Sequence, residues 1–168
     1  MSALNAMQTL DDIIRVAKQL LTRYGRLPPM LVLDGTTGSD AVPLPDAPEP
    51  IKRSLLEGLG YTLATEQRLG GLVQLFLVVE GWGSTHNGHH PALRPQHAPD
   101  RVDVVMIFHD HLARQATQMV LYEQVRDANG RLTELKRIDR EGDTSVSPPL
   151  AAIVRGFRRG SGRDVEGR

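Results

Sequence analysis

Leu72-Val73-Gln74-Leu75-Phe76-Leu77-Val78-Val79-Glu80-Gly81-Trp82 is the most apolar run of the chain and holds its one tryptophan. A period of two splits it into two faces. Val73, Leu75, Leu77 and Val79 form a uniformly apolar set. Gln74, Phe76, Val78, Glu80 and Trp82 form a second set that is apolar in the middle and polar toward both ends. This is the pattern of a central strand in an antiparallel sheet, with the first set facing a core. The mixed second set calls for a partial cover, either the C-terminal helix or a second subunit. Phe76, Val78 and Trp82 are then the expected interface residues.

Upstream, Leu10, Ile13, Ile14, Ala17, Leu20, Leu21 and Tyr24 recur at helical spacing. Thr9 is placed to cap this helix, and Asp11 and Asp12 suit the positive end of its dipole. Gly25 and then Pro28-Pro29 end it. Met30–Leu33 reads as a short strand. The polar run Asp34-Gly35-Thr36-Thr37-Gly38-Ser39-Asp40 reads as an ordinary loop. Its backbone amides suit an anion, but it lacks the Gly-Lys-Ser/Thr of a phosphate loop. Prolines 43, 45, 48 and 50 argue against regular structure in the next passage. A second helix is expected from Pro50 to about Gln67, with Ile51, Leu55, Leu59 and Leu63 as its buried stripe. Its two glycines, Gly58 and Gly60, point to close packing on the sheet.

Downstream, residues 83–101 read as a long loop. Val102–Phe108 is a strand, His109-Asp110-His111 a tight reversal, and 115–126 the returning strand. Asn129-Gly130 signals a type I′ hairpin turn. Leu132–Ile138 is a shorter strand whose charges suit a sheet edge. A last amphipathic helix runs through Leu150, Ile153, Val154 and Phe157. The order predicts a single α+β domain over residues 1–159, with a mainly antiparallel sheet of four or five strands. Two N-terminal helices are expected on one face, with a short C-terminal helix besides, and residues 160–168 as a flexible tail.

The 168 residues are 40% hydrophobic, enough for one core. Twenty Lys/Arg balance twenty Asp/Glu. Up to Ser84 there are 7 basic and 9 acidic residues, and after it 13 and 11, so neither half is a basic arm or an acidic tail. That balance gives no reason to expect nucleic acid or a membrane surface, and it permits self-association. There is no cysteine, which excludes disulfides, thiolate metal sites and a cysteine nucleophile. The first residues lack the basic and apolar regions of a signal peptide, and no apolar run is long enough to span a bilayer. A cytoplasmic location is expected. Basic charge is mostly arginine, with lysine only at Lys18, Lys52 and Lys136, as in a GC-rich bacterial coding sequence.

All six histidines fall between His86 and His111. Neutral imidazole is a favoured ligand for zinc, nickel or copper. The candidate ligand set is His89, His97, Asp100, His109 and His111, and it requires the long loop to fold back on the hairpin. Surface histidines in a Gly/Pro loop, or a cluster charging together below neutral pH, are the competing readings. The register Asn87-x-His89, seven residues, His97, two residues, Asp100 resembles the His-x-His, Ser, Asp pattern of JAMM-type metal-dependent isopeptidases. The resemblance spans fourteen residues and keeps one histidine and the aspartate. It departs at Asn87 and His97, and it implies metal-dependent hydrolysis. There is no Gly-x-Ser-x-Gly elbow.

The functional expectation is therefore a small, non-enzymatic, cytoplasmic binding or assembly protein that forms a homodimer and holds no cofactor. A histidine-ligated metal protein or metal-dependent hydrolase is the first alternative. The second is a nucleic-acid accessory protein using Arg155, Arg158, Arg159, Arg163 and Arg168, although no aromatic platform accompanies them.

Overall fold

The apolar run forms the longest strand and sits inside a six-stranded sheet. The computed structural model describes residues 6–84, 101–113, 117–138 and 147–162. In chain order the elements are α1 (Ala6–Tyr24), β1 (Met30–Gly35), β2 (Ser39–Pro43), α2 (Glu49–Thr65), β3 (Leu72–Ser84), β4 (Arg101–His111), β5 (Gln118–Arg126), β6 (Leu132–Ile138) and α3 (Pro148–Gly160). A 3₁₀ turn at Arg68–Gly70 links α2 to β3. The strand order is β2-β1-β3-β4-β5-β6, and every pairing is antiparallel. This is the expected α+β single domain, with one strand more than expected.

The two faces of β3 are both core. Leu75 and Leu77 join Leu31, Leu33, Leu56, Leu63, Ile153 and Phe157 beneath α2 and α3. Phe76 and Val78 join Ile13, Ala17, Leu21, Val105, Ile107 and Tyr122 beneath α1. The N-terminal helices thus lie on opposite faces of the sheet, not on one. The cover on the mixed face of β3 is α1, in place of the C-terminal helix or a second subunit. The physical reason is that α1 and α2 each carry one apolar stripe, and β3 offers two apolar faces. Each fully buried Leu, Ile or Phe contributes about 1.5–3 kcal/mol, so both faces must be covered.

Helix α1 begins at Ala6, so Thr9 lies inside the helix and its hydroxyl is spent elsewhere. Gly25 ends the helix as expected: its φ is +73° and its N–H donates to the Leu21 carbonyl at 2.9 Å. Tyr24 is turned outward beneath the Arg23 guanidinium, 5.4 Å from the ring centroid.

The Asp34–Asp40 stretch is a tight hairpin and not an open loop. Asp34 pairs with Ser39, and the Gly35 N–H donates to the Gly38 carbonyl at 2.8 Å. The amides of Thr36 and Thr37 donate to the carbonyls of Gly71 and Leu69, at 3.1 and 3.0 Å. These two amides are committed to the 3₁₀ turn and are not available to an anion. In return that turn is held with Gln67 and Leu69 at φ +50° and +62°, which costs about 1–3 kcal/mol each. The strand after the hairpin ends at Pro43, and as an edge strand it tolerates the proline.

Helix α2 buries Leu56, Gly60 and Leu63, while Ile51 and Leu55 remain more than half exposed. The expected stripe is rotated because α3 packs against the glycine face of α2. A Cβ added at Gly60 would fall 2.0 Å from the Ile153 carbonyl oxygen, and one at Gly156 would fall 1.9 Å from that of Glu57. Close packing does explain Gly60, but the partner is a helix. Nothing approaches Gly58. Arg155 and Arg159 reach Glu57 at 3.2 and 4.0 Å, partly exposed pairs that add little.

Strand β4 runs through His111, and the reversal follows at Leu112–Ala113. At the next hairpin Gly130 takes φ +77° while Asn129 stays at negative φ. Its N–H donates to the Asp127 carbonyl at 3.0 Å. The turn is therefore type I followed by a left-handed glycine, not type I′.

Candidate functional site

Polar residues stand at both ends of the β3 face that lies under α1. Toward the β1–β2 hairpin, cross-strand register puts Ser39 beside Asp34, Asp34 beside Gln74, and Gln74 beside His111. This places one polar row across four strands. Ser39 Oγ donates to Asp34 Oδ1 at 2.6 Å, and Gln74 Nε2 donates to Asp34 Oδ2 at 2.6 Å. From above, Thr9 Oγ1 of α1 donates to Asp34 Oδ2 at 3.4 Å. Asp34 is 1% exposed and Gln74 2% exposed, so both have left bulk water.

The row fixes the orientation of His109. Because the Gln74 amide nitrogen faces the carboxylate, its carbonyl oxygen faces His109 Nε2 at 2.9 Å. That oxygen only accepts, so His109 Nε2 carries the proton and donates. The imidazole lies flat on its register partner Phe76, with centroids 4.3 Å apart and planes inclined by 7°. Thr9, Asp34, Gln74 and His109 form a directed chain that ties α1 to β1, β3 and β4. Such a fully satisfied buried chain fixes register and helix position.

At the other end of the same face, Glu80 accepts from the Leu27 backbone N–H and from Gln124 Nε2, the latter at 3.1 Å. Gln124 Oε1 in turn accepts from Arg126 Nη2 at 2.8 Å. Asp34 thus anchors the start of α1, and Glu80 anchors the loop that follows it. The polar ends of the β3 pattern are Gln74, which bonds the first anchor, and Glu80, which is the second.

Of the expected metal ligands, His109 and His111 lie two residues apart on one face of β4. His109 is engaged by Gln74 and Phe76, and His111 Nδ1 accepts from the Ala113 N–H at 3.1 Å. Asp110 points to the opposite face and accepts from Thr117 Oγ1 at 2.6 Å. His89, His97 and Asp100, and the whole JAMM-like register, lie outside the described residues. Among the described residues no three His, Asp or Glu side chains are grouped to hold a metal ion.

Of the expected interface residues, Phe76 and Val78 are 1% and 0% exposed, sealed inside the chain's own core. Trp82 is 46% exposed. It stands opposite Asp103, where β3 and β4 run on as a two-stranded ribbon past the ladders with β1 and β5. In the basic C-terminus, Arg155 and Arg159 are drawn to Glu57, and Arg159 lies 5.8 Å over the Tyr61 ring. Arg163 and Arg168 lie outside the described residues.

Tyr122, buried on the α1 face, has a displaced pKa. Burial pushes its phenol above the ordinary 10.0, Arg137 pulls it down, and Asp11 pushes it up. A phenol raised by folding stabilises the fold fully below its unfolded pKa and loses that contribution as pH climbs through the folded value. Thermal unfolding scanned upward from about pH 9 should therefore show Tm falling more steeply in the native chain than in Tyr122→Phe. Parallel slopes would mean that Tyr122 carries none of the alkaline sensitivity.

Comparison with protein-family models, with curated protein sequences and with solved structures returns no match to this chain. No helix among the described residues is long and apolar enough to cross a membrane.

Proposed function

We propose that this is a small, non-enzymatic, cytoplasmic binding or assembly protein that works as a homodimer. The observation that carries the reading is the distribution of apolar surface. Both sheet faces are filled by the chain's own helices, yet Ile51 and Leu55 stand one turn apart on α2, 55% and 51% exposed. Tyr61 and Trp82 are also outward. A pair of outward apolar side chains on neighbouring turns, as at Ile51 and Leu55, suits contact with another protein. The polar residues under α1 are consistent with bracing: Asp34 is bonded to Thr9 of α1, and Glu80 to the loop that follows it. A net charge of zero adds no repulsion between copies.

Sedimentation velocity of the untagged full chain, from low to high micromolar concentration, tests the reading. A species of twice the chain mass of 18.5 kDa is expected at the upper end. A monomer throughout would remove the homodimer from the account.

A further inference from the structure

Strand β6 ends the sheet, and among the described residues no strand lies on its outer side. Its sequence, Leu132-Thr133-Glu134-Leu135-Lys136-Arg137-Ile138, is complementary to itself when reversed. We propose that β6 pairs antiparallel with β6 of a second copy of this chain, centred on Leu135, to make one continuous twelve-stranded sheet. The proposal rests on the homodimer reading and assigns the dimer contact to this edge, leaving Ile51 and Leu55 of α2 to the protein-binding part of that reading.

A two-fold axis through the Leu135 pair sets Glu134 opposite Lys136 of the other copy, and Lys136 opposite its Glu134. Leu135 then meets Leu135, Thr133 meets Arg137, and Leu132 lies toward Ile138 at each end. An isologous contact needs a surface that complements itself, and this strand supplies one with two opposite-charge pairs and no like-charge pair. Glu134 and Lys136 are exposed on the same face of the strand, and neither makes a side-chain hydrogen bond or ion pair within the described residues. Lys136 also stands beside Glu123 of β5. In the dimer each lysine would lie between two acids, Glu123 of its own chain and Glu134 of the other.

Leu132, Leu135 and Ile138 are half-buried, so part of their apolar surface remains for a partner to cover. The two-fold axis is perpendicular to the sheet, so it keeps the faces matched. The two α1 helices then share one face and the α2–α3 pairs the other. The opposite edge does not fit as well. Strand β2 reversed on itself sets Asp40 against Val42 and Ser39 against Pro43, and Pro43 has no N–H to donate. The charges on β6 repel arbitrary strands while matching their own reverse, which is how an edge avoids aggregation and still recognises one partner.

Charge reversal in four samples tests the pairing, each measured by sedimentation velocity with thermal unfolding as the check on folding. Glu134→Lys alone makes both central pairs cationic, and Lys136→Glu alone makes both anionic. Each single variant should dimerise about tenfold more weakly or worse. Mixed one to one, the two variants should form a heterodimer, because every pair is again opposite. The double variant E134K/K136E should dimerise like the native chain. Single variants as dimeric as the native chain would overturn the β6 contact and leave the homodimer reading standing. Variants that are monomeric alone and remain so when mixed would also overturn it. A native chain that is monomeric at high micromolar concentration would overturn both.

Discussion

Gly156→Ala should destabilise the protein by about 3 kcal/mol, lowering Tm by about 6–12 °C in a chain of this size. The methyl group would sit 1.9 Å from the Glu57 carbonyl oxygen, a backbone atom that cannot rotate away. Helices α2 and α3 would have to separate, and Leu56, Leu63, Ile153 and Phe157 would lose contact along the whole seam. Gly60→Ala should behave similarly, because its methyl group meets the Ile153 carbonyl oxygen at 2.0 Å. Gly58 provides the control within the same helix. Nothing lies within 4 Å of a Cβ there, so Gly58→Ala should gain up to about 1 kcal/mol from helix propensity. Urea unfolding of the three variants separates the cases. A Gly156→Ala chain as stable as Gly58→Ala would show that the two helices do not meet at this glycine.

Asp34→Ala should cost about 3–5 kcal/mol, because it removes the shared acceptor of Gln74, Ser39 and Thr9 and leaves buried donors unpaired. Asp34→Asn should cost less than half as much. Its carbonyl oxygen still accepts from Gln74, and its amide can donate to the Ser39 hydroxyl, which also accepts. The two variants also differ at His109. Without Asp34 the Gln74 amide is free to turn over, and the His109 Nε2 proton loses its fixed acceptor. Imidazole ¹⁵N shifts should report one tautomer in the native chain and in Asp34→Asn, and a mixture in Asp34→Ala. An Asp34→Ala chain within 1 kcal/mol of native stability, with an unchanged His109 tautomer, would show that the row does not brace the fold; that limit is about the net worth of one hydrogen bond.

Much of this was legible in the sequence. The period of two in β3, the glycine that ends α1 and the charged edge at β6 follow from local rules and appear in the structure, whereas Thr9, expected as the cap of α1, lies within the helix. What local rules missed was long-range. The apolar stripe of α2 was placed through Ile51 and Leu55 because hydrophobic periodicity does not register a glycine face, and α3 approaches α2 at glycine. Strand β2 was missed because prolines follow it closely, yet an edge strand needs only one bonded side. In sequence Asp34 belongs to a polar run with the composition of a loop. Its parity with Met30 and Val32 placed it on an inward face, and Gln74 shares parity with Phe76 and Val78. Two polar residues at inward positions of apolar strands were a signal for a buried pair, but only the β1–β3 register shows that they meet. Phe76 and Val78 look like interface residues in sequence because which helix covers which face is not a local property.

Hydrogen–deuterium exchange at two protein concentrations tests the central claim most directly. The untagged full chain is compared below and above the concentration at which it pairs. The outward-pointing amides within Thr133–Arg137, which alternate with those facing β5, should exchange more slowly at the higher concentration, because the outer edge of β6 then bonds to a second copy, while amides of Ser39–Val42 at the other edge stay unchanged. Equal exchange in β6 at both concentrations, alongside a constant monomer mass, would contradict the account.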